Sequence, residues 1–242
     1  MRILHMQSNI VPGILVQNYL DIQTQVGQVL EVAPLVQLDI CDGVFVQSKT
    51  WPYTSKDMHA YQKIINEEDG LPYWSQVNYE LDLMVKNAHA QFFTDWLKLG
   101  PTHIVFHLEA EDPARFLSFL ENLEPFYKET IKIGIAIEVD TDPERITPFI
   151  EHISYIQCMG IETIGLQGQI FSQKAIEQIE KIHTLFPEVP ITVDGGINEF
   201  VLKVLAPHNI SRYVVGSALF KSFDLDKTII EFNDIISKNM IK

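Results

Sequence analysis

Short apolar runs alternate with stretches of helical spacing from one end of this chain to the other, and that alternation constrains the fold more than any other feature. It is the pattern of parallel βα units, because parallel neighbours need a crossover long enough to hold a helix. The pattern predicts strands over 10–15, 35–39, 79–85, 103–107, 132–137, 155–159, 191–194 and 213–215. It predicts helices over 17–32, 55–65, 88–99, 112–128, from 142 onward, 172–186, 198–205 and 227–238. No Pro/Gly/Ser-rich linker divides the 242 residues, so a single α/β domain over 1–242, a (β/α)8 TIM barrel, is expected. An open doubly wound sheet is the competitor. The short strands of similar length, with no glycine-rich dinucleotide turn after the first, favour closure. The long 44–76 connection is open to two readings, a functional loop beside the site or a decorative insertion.

Alternation inside the strands sharpens this expectation. Residues two apart on a strand share a face. Gln37 and Asp39 therefore oppose Val36, Leu38 and Ile40, and Glu80, Asp82 and Met84 oppose Leu81, Leu83 and Val85. Thr192 and Asp194 oppose Ile191 and Val193 in the same way. The aliphatic face must pack under outer helices, so the polar face points into the barrel, where its members need partners. Asp39, Asp82 and Asp194 come late in their strands, at the rim where barrel active sites lie. Cys158 falls on the helix-facing side and is expected in the core.

Charge and cysteine content exclude several classes. A net charge of −14 argues against nucleic acid and anionic membranes as partners. It leaves a small anionic substrate open, since local donors bind such a ligand. Two cysteines, Cys41 and Cys158, make no disulfide framework. With no leader-like start and no long apolar span, a cytoplasmic protein is expected. A homo-oligomer is compatible with the sequence.

The segments VQLDICDGVFV, ELDLMVKN, IVFHLEA, GLQGQIF, VDGGI and VVGSALF occur in the order found in the ribulose-phosphate 3-epimerase family, and together the chain resembles a divergent member of it. The resemblance implies a barrel of the ribulose-phosphate-binding type. It implies a ketose-phosphate 3-epimerase that interconverts D-ribulose 5-phosphate and D-xylulose 5-phosphate through an enediolate. Asp39 and Asp194 occupy the positions of the two catalytic aspartates, one removing a proton and the other returning one to the opposite face. The family's divalent metal would have Gln37, Asp39, Asp82 and Asp194 as ligands here. Gln37 and Asp82 stand where the family has histidines, which shifts the expected preference from zinc toward Mg²⁺ or Mn²⁺.

Further positions follow from the same resemblance. Gly165, Gly168, Gln169, Gly195, Gly196, Gly216 and Ser217 match the phosphate-binding turns, in which backbone N–H groups approach an anion. Gln167 replaces a glycine there, and Gly13 replaces a serine. Cys41, Met84, His107 and Met159 match positions lining the pocket, Cys41 in place of a methionine. Glu138 adds negative charge where a lysine or asparagine is common. The departures motivate an alternative, a non-catalytic sugar-phosphate-binding homologue with an altered metal site. Synthase and decarboxylase relatives on the same barrel are disfavoured, because their lysine position holds Cys41.

Overall fold

Each strand packs its aliphatic face under the helices and buries its polar face inside the barrel. The computed structural model, which describes residues 8–240, has β1 (Ile10–Ile14), β2 (Leu35–Cys41), β3 (Asn78–Met84) and β4 (His103–His107). It continues with β5 (Lys132–Ile137), β6 (Tyr155–Met159), β7 (Ile191–Asp194) and β8 (Arg212–Val215). The strands close into a parallel barrel in chain order, with β8 returning to β1 through Ile10 opposite Tyr213. Leu38, Ile40, Leu81, Leu83, Ile135 and Val193 are buried outward against the helices. Full burial of such side chains stabilises by roughly 1.5–3 kcal/mol each.

The helices sit between the strands. They are α1 (Tyr19–Val29), α2 (Met58–Ile65), α3 (Pro113–Asn122), α4 (Pro125–Thr130), α5 (Lys174–Leu185), α6 (Glu199–Leu205), α7 (Ser217–Phe220) and α8 (Leu225–Asn239). Asn18, Asp112, Asn198 and Asp224 cap four of them through side-chain oxygens.

Three expected helices differ. The one over 112–128 is two helices, because Pro125 disfavours helical geometry at the residue before it and Glu124 is extended, with ψ 144°. The stretch from Pro143 to His152 is a 3-10 helix, in which Pro148 lacks the N–H that an α-helix interior needs. The 88–99 segment is a succession of 3-10 and π turns, entered and left through the left-handed residues Asn87 and Gly100. Inside it the Trp96 indole N–H donates to Ala88 O at 2.9 Å.

The 44–76 segment packs in two places. Near the mouth, Val46 packs on Cys41 and Met84, and Phe45 lies 5.5 Å from the His107 ring. Farther along, Trp51 is fully buried between Tyr19 and Tyr61 and belongs to the outer layer. No helix among the described residues is long and apolar enough to cross a membrane.

Inside the barrel, a charged layer forms the floor under the mouth. Glu80 is fully buried and its Oε2 lies 2.9 Å from Arg212 Nη2. The Tyr155 hydroxyl donates to the same oxygen at 2.7 Å. Arg212 Nε donates to Thr192 Oγ1 at 3.1 Å, and its guanidinium covers the Tyr155 ring at 4.4 Å. Burial raises the Glu80 carboxyl above its ordinary range, against the pull of Arg212 and Tyr155.

Candidate active site

Strand register assembles the site. Asp39 on β2 is the direct neighbour of Asp82 on β3, and Asp194 on β7 is the neighbour of Met159 on β6. All point inward, and one oxygen from each of the three aspartates lies within 4.8 Å of the others. Asp82 is fully buried, Asp39 is 8% exposed, and Asp194 keeps more contact with solvent. Three buried carboxylates this close cannot all be ionised and unpaired.

Amides, a histidine and protons compensate them. Gln37 Nε2 donates to Asp194 Oδ2 at 2.7 Å and to Asp39 Oδ1 at 3.0 Å, and stands 3.5 Å from Asp82 Oδ2. Gln157 Nε2 lies 3.4 Å from both Asp82 Oδ2 and Asp194 Oδ2. His107 Nε2 meets Asp82 Oδ1 at 2.8 Å. Burial alone would lower the His107 pKa, but the Asp82 charge and hydrogen bond override it and hold it above its ordinary value.

Both aspartates expected to do chemistry are raised in pKa. Burial, followed by the charges of Asp194 and Asp82, raises Asp39 well above the carboxylate range. Burial and then Asp82 push Asp194 up to about 7. Burial thus favours the protonated form of both carboxyls, and Asp194, near 7, is poised to exchange a proton.

The same residues fit a divalent cation. Asp39, Asp82 and Asp194 offer three oxygens from a compact cluster. Gln37 Oε1 is buried without a partner. A half-turn of that carboxamide replaces Nε2 by Oε1 among the carboxylates and completes a set of four oxygens. Such a set suits Mg²⁺ or Mn²⁺ better than zinc, which favours nitrogen and sulfur.

Beside the carboxylates lies one cavity that gathers residues far apart in the chain. Asp39, Asp194, Met84 and Met159 line it. So do Gly165, Gly168 and Gln169 after β6, Gly195 and Gly196 after β7, and Gly216 and Ser217 after β8. Gly196 has φ +71°, and a Cβ there would meet the Phe171 backbone nitrogen at 2.7 Å, so position 196 requires glycine. The helix after Gly216 is only the single turn of α7, so it adds little field to that part of the cavity.

Four expected site residues stand behind this wall. Gln37 and Asp82 are fully buried beneath it. Cys41 packs its sulfur 3.9 Å from Met84 Sδ, and His107 braces Asp82. Cys158 is in the core, as its outward face implies. Sequence reasoning passed over Gln157, although it precedes Met159 by two residues on β6 and so shares its inward face. It also gave no partner to Gln167, whose Nε2 donates to Gly13 O at 3.3 Å.

Comparison with known proteins bears on the family and the fold. The sequence matches the family model described as "Ribulose-phosphate 3 epimerase family" over residues 9–220. Ribulose-phosphate 3-epimerase from Helicobacter pylori (strain ATCC 700392 / 26695) is 27% identical over 222 residues, spanning 89% of this chain and 92% of that protein. The enzyme of the same name from Schizosaccharomyces pombe is 22% identical over 234 residues, spanning 96% and 95%. Among solved structures, a ligand complex of KGPDC from Streptococcus mutans superposes with a TM-score of 0.70 at 11% identity, covering 97% of this chain and 99% of that one. At that identity the likeness is one of fold.

Proposed function

This chain belongs to the ribulose-phosphate 3-epimerase family, and from that premise we propose that it is a ketose-phosphate 3-epimerase acting on D-ribulose 5-phosphate and D-xylulose 5-phosphate. The observation that carries the reading is one cavity lined both by Asp39 and Asp194 and by the glycine turns. A sugar phosphate spans these two ends. The backbone N–H groups take its phosphate, and C3 lies between the two carboxyl groups.

The residues then divide the work. Asp194, ionising near pH 7, removes the C3 proton and leaves an enediolate. Asp39, still protonated, returns a proton to the opposite face of C3 and inverts it. The reverse reaction exchanges the roles. Gln37 and Gln157 hold the carboxylates in place, and His107 balances the charge of Asp82. A divalent ion held by Asp39, Asp82, Asp194 and Gln37 would supply charge stabilisation to the enediolate. Met84 and Met159 give the sugar an apolar wall that limits water.

The test is deuterium incorporation at C3 of ribulose 5-phosphate in D2O, with Mg²⁺, Mn²⁺, Zn²⁺ or EDTA. Wild type is expected to exchange, with Mg²⁺ or Mn²⁺ more effective than Zn²⁺. Asp194→Asn is expected to lose on the order of 10²–10⁴ of the rate, the usual contribution of a positioned acid–base group. A folded protein that binds phosphate but never exchanges would favour the non-catalytic binding reading, which the Gln37 N–H group among the carboxylates also suits.

A further inference from the structure

One side chain at the mouth joins three strand ends. Gln167 stands on the turn after β6, and its Nε2 donates across the opening to Gly13 O, near the end of β1. The same amide lies against Gly216 at the end of β8: a Cβ built on Gly216 would come within 2.7 Å of Gln167 Nε2. Position 13 pairs with Gln37 and faces inward, yet it has no side chain. A Cβ at position 13 would stand 3.8 Å from Gly216 N, so this corner of the cavity is furnished by Gln167 reaching in from the opposite loop.

The electrostatics of the cavity give that amide a purpose. Its lining includes Asp39 and Asp194 and no lysine, arginine or histidine. Lys221 comes near the turn, its Nζ 3.8 Å from where a Cβ on Gly168 would stand, but it does not line the cavity. An anion seated there therefore depends chiefly on N–H groups, against two nearby carboxyl groups. Gln167 Nε2 carries two hydrogens. One makes a long bond to Gly13 O, and the other has no protein acceptor among the described residues. A neutral donor on a long side chain can turn toward an arriving oxyanion at little cost, because the bond it leaves is weak.

We propose that Gln167 is a specificity-determining residue whose carboxamide donates to the phosphate of the bound sugar, beside Gly216 N. The assignment rests on the sugar-phosphate reading above. It makes the chain select phosphate monoesters through a side chain as well as through backbone amides.

The test titrates inorganic phosphate into wild type, Gln167→Ala and Gln167→Glu by calorimetry, and measures KM for ribulose 5-phosphate alongside. Gln167→Ala is expected to weaken phosphate binding roughly tenfold, which corresponds to about 1.4 kcal/mol, and to raise KM by a similar factor. Gln167→Glu keeps the reach but adds charge, and is expected to bind phosphate more weakly still. Equal or tighter binding by Gln167→Ala would overturn the assignment, as would a wild type that binds no phosphate. A lower melting temperature with phosphate affinity intact would make Gln167 a strap between loops, and the assignment would fall. Should the expected loss of affinity occur without C3 exchange in any variant, the epimerase reading fails and the role of Gln167 stands.

Discussion

The carboxylate cluster makes the stability of the ion-free protein fall as pH rises through neutrality. Asp194 is pushed from the ordinary 3.8 to about 7 in the folded chain. A group whose folded pKa lies above its unfolded value stabilises the fold fully below the unfolded value, and this contribution is lost as pH rises through the folded one. Each pKa unit is worth about 1.4 kcal/mol, and about two of the units fall between pH 5 and pH 7. The partial solvent contact of Asp194 trims the effect to about 2 kcal/mol over that interval. For a chain of this length the melting temperature should then drop by roughly 4–8 °C between pH 5 and pH 8 in EDTA. Asp194→Asn should remove this contribution to the slope. Mg²⁺ or Mn²⁺ should raise the melting temperature more at pH 8 than at pH 5, because the ion competes with the protons on Asp39 and Asp194. A pH slope unchanged in Asp194→Asn would refute the assigned protonation. An ion effect equal at both pH values would show that these carboxylates are not the ligands.

Two further substitutions test how the site is supported. Arg212→Met leaves Glu80 buried without its cation and should cost about 3–5 kcal/mol in urea unfolding. Adding Glu80→Gln to that variant should restore a good part of the loss, since the amide needs no counter-charge and can still bond the Tyr155 hydroxyl. Gly160→Ala places a Cβ 2.3 Å from Gly195 O and should destabilise by about 1–3 kcal/mol. It should also weaken phosphate binding, because the turns after β6 and β7 are forced apart; unchanged phosphate affinity would sever that link.

The barrel and the inward aspartates were legible because one physical rule, a period of two on strands, acts on each residue independently. Gln37, Asp39, Asp82 and Asp194 could be placed on inner faces without knowing any contact. What was not legible depends on distance between strands. Gln37 bonding Asp194 joins positions 157 residues apart, and only the closed barrel brings β2 and β7 within reach. Gln167 meeting Gly13 has the same character. The break of the 112–128 helix is a different case: Pro125 was visible, but the apolar spacing on either side of it outweighed a single residue. The 3-10 and π turns of 88–99 had no local signal in an apolar spacing that also fits an α-helix.

The two ends of the cavity make opposite demands on whatever enters it. At one end three acids face a single histidine, so the cluster is short of positive charge and must take up protons or a cation. At the other, glycine turns rich in N–H donors present a place for an anion. A neutral ligand would answer neither demand, and a simple dianion would answer only one. A ligand with a phosphate at one end and oxygens that accumulate charge during proton transfer at the other answers both, and only while the acids hold their protons or share a cation. With Gln37 and Asp82 beside Asp39 and Asp194, protons, amide N–H groups and an oxygen-loving ion compete for the same few oxygens.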